Sequence, residues 1–307
     1  MAVVVGRVAA LTDPGRRRRH NEDSFVCEPP LFAIADGMGG AQAGELASRL
    51  AKTAIEEAAL TTIGEDGVVD AIRAANARVF ERALKDPSAS GMGTTATVAL
   101  VDEVAGTIAL GHVGDSRAYR YRRGALAQLT IDHSLVGELI RSGRLTEDEA
   151  AVHPHRSVIT RALGTEPDVD VDTQTAEIEA GDLLLLCSDG LSAMVRDDEI
   201  ARLIEAAGAE PEGAGAALVR AANEAGGIDN VTVILVELVE GEPRSRDAQP
   251  LAEEAHEAND MERTEEDVGA ASKRRHGAGR GSRWPALLLV LGLLAAVVVV
   301  LWWSFLA

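Results

Sequence analysis

Four aspartates occupy positions from which a carboxylate can act on something outside its own strand. Asp36 closes the run Phe32-Ala-Ile-Ala and precedes Gly37, and Asp115 follows Gly111-His-Val-Gly. Asp189 follows Leu183-Leu-Leu-Leu-Cys-Ser and precedes Gly190, and Asp229 follows Gly226-Gly-Ile. A carboxylate at a strand end reaches into a cleft, and a neighbouring glycine lets backbone approach an ion closely. Four such groups brought together would repel one another strongly, and a divalent cation is the natural remedy. Oxygen donors without a His–Cys partner set favour Mg2+ or Mn2+ over zinc. Asp-Gly is also an ordinary turn signature, and convergence in space is not visible in a sequence, so both readings stand at this level.

To converge, these residues need strands that end together. Apolar runs of strand length lie at Leu31–Ala35, Ala96–Val101, Thr107–Val113, Leu183–Cys187 and Val231–Val239. Alanine-rich stretches with helical spacing occupy Gly44–Leu60 and Val68–Leu84, and further helices are expected at Glu199–Ala207 and Ala214–Ala225. Strands, two adjacent helices, many strands and two more helices make an α+β layered fold, not a βαβ alternation.

Composition narrows the function classes. Of 307 residues 46% are hydrophobic, enough for a real core, and the net charge is −19. An acidic surface repels phosphate backbones, and five aromatic residues before Trp284 are too few for a base-stacking platform, so no nucleic-acid partner is expected. Two cysteines, Cys27 and Cys187, make neither a disulfide framework nor a zinc finger and fit a reducing compartment.

The two ends differ in kind. The N-terminal stretch is too weakly hydrophobic for a signal peptide, and its arginine cluster follows the apolar residues instead of preceding them. At the other end, residues 286–307 carry no charge and reach roughly 33 Å as a helix, about one hydrocarbon core. Trp284 stands at one edge and Trp302–Trp303 near the other, and Lys273, Arg274, Arg275, Arg280 and Arg283 lie just upstream. Residues 284–307 therefore read as a C-terminal transmembrane anchor, with the long N-terminal part cytoplasmic under the positive-inside rule. Residues 241–283, an acidic block followed by a basic one, read as a flexible juxtamembrane linker, and residues 1–240 as the folded domain.

Several motifs match one family. Arg18-Arg-His-Asn-Glu-Asp23 and Asp36-Gly-Met-Gly-Gly-Ala-Gln-Ala-Gly-Glu45 resemble the opening of the bacterial type 2C metal-dependent protein phosphatases. The likeness continues in the family's order through Gly91-Met-Gly-Thr-Thr95, Gly114-Asp-Ser-Arg117, Asp132-His-Ser134, Thr160-Arg-Ala-Leu-Gly164, Ser188-Asp-Gly-Leu191 and Gly227-Ile-Asp-Asn-Val-Thr232. The resemblance implies a central β-sandwich of two antiparallel sheets flanked by pairs of helices, with a dinuclear Mn2+ or Mg2+ centre at one end. By position, Asp36 would bridge two ions, Gly37 would offer its carbonyl to one, and Asp189 and Asp229 would hold the other. Glu22 and Asp23 match residues that order metal-bound water, and Arg18 matches the arginine that forks the substrate phosphate. Asp115 matches a ligand of a weaker third ion. The implied reaction is in-line attack of a metal-activated water on phosphoserine or phosphothreonine, with no nucleophilic serine. Ser24, Ser116 and Ser188 are then expected to be structural hydrogen-bonders.

Two positions depart from the family's pattern. Met38 stands where some members carry the histidine proposed as general acid, and Ala193 stands where many carry an acidic residue that helps to hold the third ion. Weak third-ion occupancy is expected from Ala193. Leu135–Ser157 resembles the mobile flap beside the active site of bacterial members, with a surface helix pair as the plainer alternative. The expected partners are phosphorylated Ser/Thr proteins, with membrane Ser/Thr kinases and their substrates as the natural set. The rival readings are a phosphoprotein-binding module of the same fold with a weak site, and another Mg2+ enzyme such as a nuclease.

Overall fold

The computed structural model describes residues 2–58 and 62–243. The linker expected beyond 243 and the anchor expected at 284–307 both lie outside the described residues. Among the described residues no helix is long and apolar enough to cross a membrane.

The N-terminal run forms a long strand, β1 (Ala2–Asp13), followed by the pair β2 (Asp23–Glu28) and β3 (Leu31–Met38). Helices α1 (Ala41–Ala58) and α2 (Glu65–Lys85) come next, then β4 (Gly93–Thr94), β5 (Ala96–Asp102), β6 (Thr107–Val113), β7 (Arg117–Arg122) and β8 (Ala125–Gln128). Short helices α3 (Leu135–Arg141) and α4 (Glu147–Ala151) precede β9 (Asp172–Glu177) and β10 (Leu183–Cys187). The described chain closes with α5 (Asp189–Ser192), α6 (Asp197–Ala206), α7 (Pro211–Glu224) and β11 (Val231–Gly241), one residue beyond the expected domain end at 240.

Two sheets result, ordered β1-β11-β10-β7-β8 and β2-β3-β5-β6-β9, with β4 paired to β3 and every pairing antiparallel. Their apolar runs are unbroken because both faces of the central strands are covered. Leu184, Leu186, Ile234 and Val236 pack with Phe32, Ile34, Ala99 and Leu110 of the other sheet. The alternate residues Leu183, Leu185, Val233 and Leu235 pack under α6 and α7 through Ile200, Ile204 and Leu218. On the far side, Ala33, Ala35 and Val98 pack against Ala51 and Ile55 of α1 and Ile72 of α2. The order is helices, sheet, sheet, helices, as the motif resemblance implied.

Some elements differ from the sequence reading. Residues 2–13, too weakly hydrophobic for a signal peptide, form a strand paired with β11 through a register shift between Val5 and Val8. β9 carries no apolar alternation, because it is an edge strand with exposed Thr173, Gln174 and Thr175. The 135–157 segment contains the two short helices α3 and α4. Ser134 caps α3, and Thr146 with Glu149 forms a capping box on α4.

Candidate active site

The acidic residues come from both sheets and meet at one end of the sandwich. Asp23 and Asp36 are direct cross-strand partners in β2 and β3. Asp189 opens α5 two residues after β10, Asp229 lies just before β11, and Asp115 sits in the turn between β6 and β7. Asp36 feels Asp23, Asp189, Asp115 and Asp229 electrostatically, and its carboxylate is within hydrogen-bond reach of Asp189.

Polar neighbours fix these groups. Asp23 Oδ2 accepts from Ser188 Oγ at 2.9 Å and Thr232 Oγ1 at 2.6 Å, so residues of the two sheets share one carboxylate. The Asp36 amide donates to Thr95 Oγ1 at 3.0 Å, and its carbonyl accepts from Thr94 Oγ1 and the Thr95 amide. Asn230 Oδ1 accepts from the Glu22 amide at 2.7 Å, while its Nδ2 donates to the carbonyls of Pro14 and His20. The Gly37 amide donates to the Glu22 carbonyl at 3.2 Å. A Cβ at Gly37 would stand 2.1 Å from the Gly44 carbonyl oxygen, so backbone packs here at a distance no side chain permits.

Thr94, Thr95, Asn230 and Thr232 join the site from within the Gly91–Thr95 and Gly227–Thr232 motifs, without an ionisable group to mark them. The sequence shows that they adjoin the aspartates but not that their side chains turn toward them. Ser24, Ser116 and Ser188 bond to Ser48, Thr95 and Asp23 respectively, as expected of structural serines. Burial pushes the Cys187 thiol up to about 12, in keeping with a purely structural cysteine.

Burial, reinforced by mutual repulsion, raises the carboxyl groups of Asp23, Asp36, Asp115 and Asp189 above their ordinary range. Burial also raises Glu22, against the opposing pull of Arg18. Arg18 donates through Nη2 to Asp229 Oδ2 at 2.7 Å, and its Nη1 lies 3.6 Å from Glu22 Oε1.

Three buried carboxylate oxygens, Asp23 Oδ1, Asp115 Oδ1 and Asp189 Oδ1, have no hydrogen-bond partner. Buried ionised oxygens left without partners are costly, and a cation or its water ligands would satisfy them, so the residues fit divalent ions. Among the described residues no three His, Cys, Asp or Glu groups close tightly enough to form a cage by themselves. Carboxylate oxygens are the donors that Mg2+ and Mn2+ prefer.

The profile of the protein phosphatase 2C family matches residues 16–220. The chain belongs to the protein phosphatase 2C family. Membership makes it a metal-dependent protein serine/threonine phosphatase. The serine/threonine phosphatase stp of Listeria monocytogenes is 39% identical over 238 residues, which are 74% of this chain and 93% of that protein. The phosphatase PstP of Mycobacterium tuberculosis is 41% identical over 242 residues, 77% of this chain and 46% of PstP. The crystal structure of a PstP catalytic domain with two manganese ions superimposes with a TM-score of 0.71 at 37% identity, covering 78% of this chain and all of that one.

Proposed function

We propose that this phosphatase is tethered to the membrane with its catalytic domain in the cytoplasm, where it reverses the work of Ser/Thr kinases. The observation that carries the catalytic reading is the ring of buried carboxylates with three orphaned oxygens at one end of the sandwich. Asp36 and the Gly37 carbonyl would hold one ion, Asp36, Asp189 and Asp229 the other, and Asp115 a weaker third. When bound, a pair of divalent ions lowers the pKa of water and screens the phosphoryl oxygens during in-line displacement. Glu22 and Asp23 would orient that water by accepting hydrogen bonds from it. Arg18, half exposed and paired with Asp229, would turn its fork to two oxygens of the substrate phosphate. No serine nucleophile is needed, since Ser116 and Ser188 are occupied in holding Thr95 and Asp23.

The tether reading rests on the charge-free stretch at 286–307, its flanking tryptophans and the upstream basic cluster. Holding the enzyme at the bilayer raises its local concentration toward membrane-bound kinases and their substrates. Ala193, exposed at the end of α5, favours a second reading, a phosphoprotein-binding module with a weak site.

The test is phosphate release from a phosphothreonine peptide with Mn2+, Mg2+ or chelator, for the full chain and for Asp36→Asn and Asp189→Asn. Turnover that needs metal and falls more than about 100-fold in both variants supports the assignment. A folded wild-type chain without turnover in either metal favours the binding module. Fractionation of cells expressing the full chain or a chain ending at residue 243 tests the tether: the full chain should sediment with membranes and the short one should not.

A further inference from the structure

His133 is buried, belongs to no helix or strand, and lies outside the residues so far given a role. Its main chain closes the root of the 135–158 segment: its carbonyl accepts from the Thr160 amide at 2.8 Å, next to a bridge between Ser134 and Ile159 and the Leu135–Val158 bond. Its amide donates to the Gly114 carbonyl at 2.7 Å, and the Gly114 amide returns a bond to His133 Nδ1 at 3.0 Å. An acceptor at Nδ1 places the ring proton on Nε2, which faces Asp172 Oδ2 at 3.1 Å; Arg161 Nη1, bonded to Asp172 Oδ1, lies at 3.1 Å from the same ring nitrogen. The other ring neighbour, His112, is held by Thr97 and the Ile131 carbonyl.

Gly114 directly precedes Asp115. Its φ of +116° and the 2.5 Å approach of a Cβ there to Thr95 Cγ2 leave room for glycine alone. On its other flank the turn is pinned by Ser116 Oγ to Thr95 Oγ1 at 2.8 Å, and Thr95 in turn holds Asp36. The Asp115 turn is thus clamped between Thr95, which belongs to the metal end of the sheet, and His133, which belongs to the root of the 135–158 segment.

We propose that His133 is a positioning residue: its Nδ1 fixes the Gly114 amide, aims the Asp115 carboxylate and couples that carboxylate to the 135–158 segment. The inference rests on the reading of Asp115 as an ion ligand. It makes the segment root a control point for the ion held through Asp115, because displacing the root moves the group that holds Gly114.

Histidine's two nitrogens can be replaced one at a time. In His133→Asn the amide oxygen can take the place of Nδ1, whereas in His133→Gln the side chain reaches the Nε2 position and leaves Gly114 unbonded. Binding of Mn2+ alone, followed by isothermal titration calorimetry on the full chain, is read beside kcat and KM for a phosphothreonine peptide. The expected result is that His133→Gln weakens the weakest Mn2+ step and lowers kcat by about 10-fold each with KM unchanged, while His133→Asn stays within about threefold of wild type. Equal behaviour of the two folded variants overturns the proposal. If both fail to fold, Asp172→Ala combined with Arg161→Ala, at two partly exposed positions, removes both partners of Nε2 and frees the ring from the opposite side; unaltered Mn2+ binding in that variant overturns it equally. Asp115→Asn separates the two readings. If it leaves Mn2+ binding intact, the ligand assignment fails; if it weakens binding and His133→Gln does not, the positioning role alone fails.

Discussion

Asp23 places two hydroxyl bonds on one carboxylate oxygen and none on the other, so it faces the protein on one side and the ion end on the other. Removing one hydroxyl with Thr232→Val leaves a buried acceptor short of a partner. The expected cost is about 1–3 kcal/mol in denaturant unfolding, with weaker Mn2+ binding because the carboxylate loses its orientation. Arg18 behaves differently because it is half exposed and its pair with Asp229 contributes little to stability. Arg18→Lys should leave the melting temperature within a degree or so of wild type and raise KM for phosphopeptide by about 10-fold, since an ammonium cannot fork two phosphate oxygens. A variant with lowered stability and unchanged KM would show that the Asp229 pair, and not phosphate, is what this residue serves. At this scale the sequence was informative about the acids and silent about their anchors. Asn230 and Thr95 act through the direction of their side chains, which neighbouring positions in a chain do not reveal.

The helices matter to the site through the tightness with which they hold the sheets. Gly111 lies in β6 beneath α2, where an added Cβ would come within 2.8 Å of Ile72 Cδ1 and 3.1 Å of Val68. Gly111→Val overpacks that contact and should destabilise by roughly 1–3 kcal/mol, read as a lower melting temperature with kcat changed less than about twofold below it. A large loss of kcat without loss of stability would instead tie α2 to the chemistry. The central strands were legible because both their faces are buried and their residues are uniformly apolar. β9 was not, because Asp172, Thr173, Gln174 and Thr175 look toward solvent and toward charged partners. Its contribution, Asp172 against His133 and Arg161, arises only once β9 is laid along β6.

For the whole molecule the acidic end dominates the balance between stability and function. Burial and mutual repulsion push Asp189, Asp23 and Asp115 up to about 6, about 7 and about 8 from an ordinary 3.8. Between about pH 4 and pH 8 the folded metal-free chain therefore holds protons that the unfolded chain has released, and stability falls as pH rises through that window. In chelator the melting temperature should drop from pH 5 to pH 8, and excess Mn2+ should reverse the trend because it binds the ionised carboxylates. A chelated chain that gains stability across the same window would contradict the idea that these carboxylates are held against their own repulsion. The sequence by itself determined the family, the acidic residue set and the layered α+β class, because motif order and apolar periodicity are properties of the chain. It also supplies the whole case for a membrane anchor at 284–307. Only the tertiary structure decided that Asp23, Asp36, Asp115, Asp189 and Asp229 share one end of the sandwich. The same packing decided that Thr232, Asn230 and Thr95 hold them and that His133 joins the Asp115 turn to the segment beyond it. Those contacts span up to 216 residues of chain, and a separation of that length is closed by sheet pairing and core packing, not by local preference.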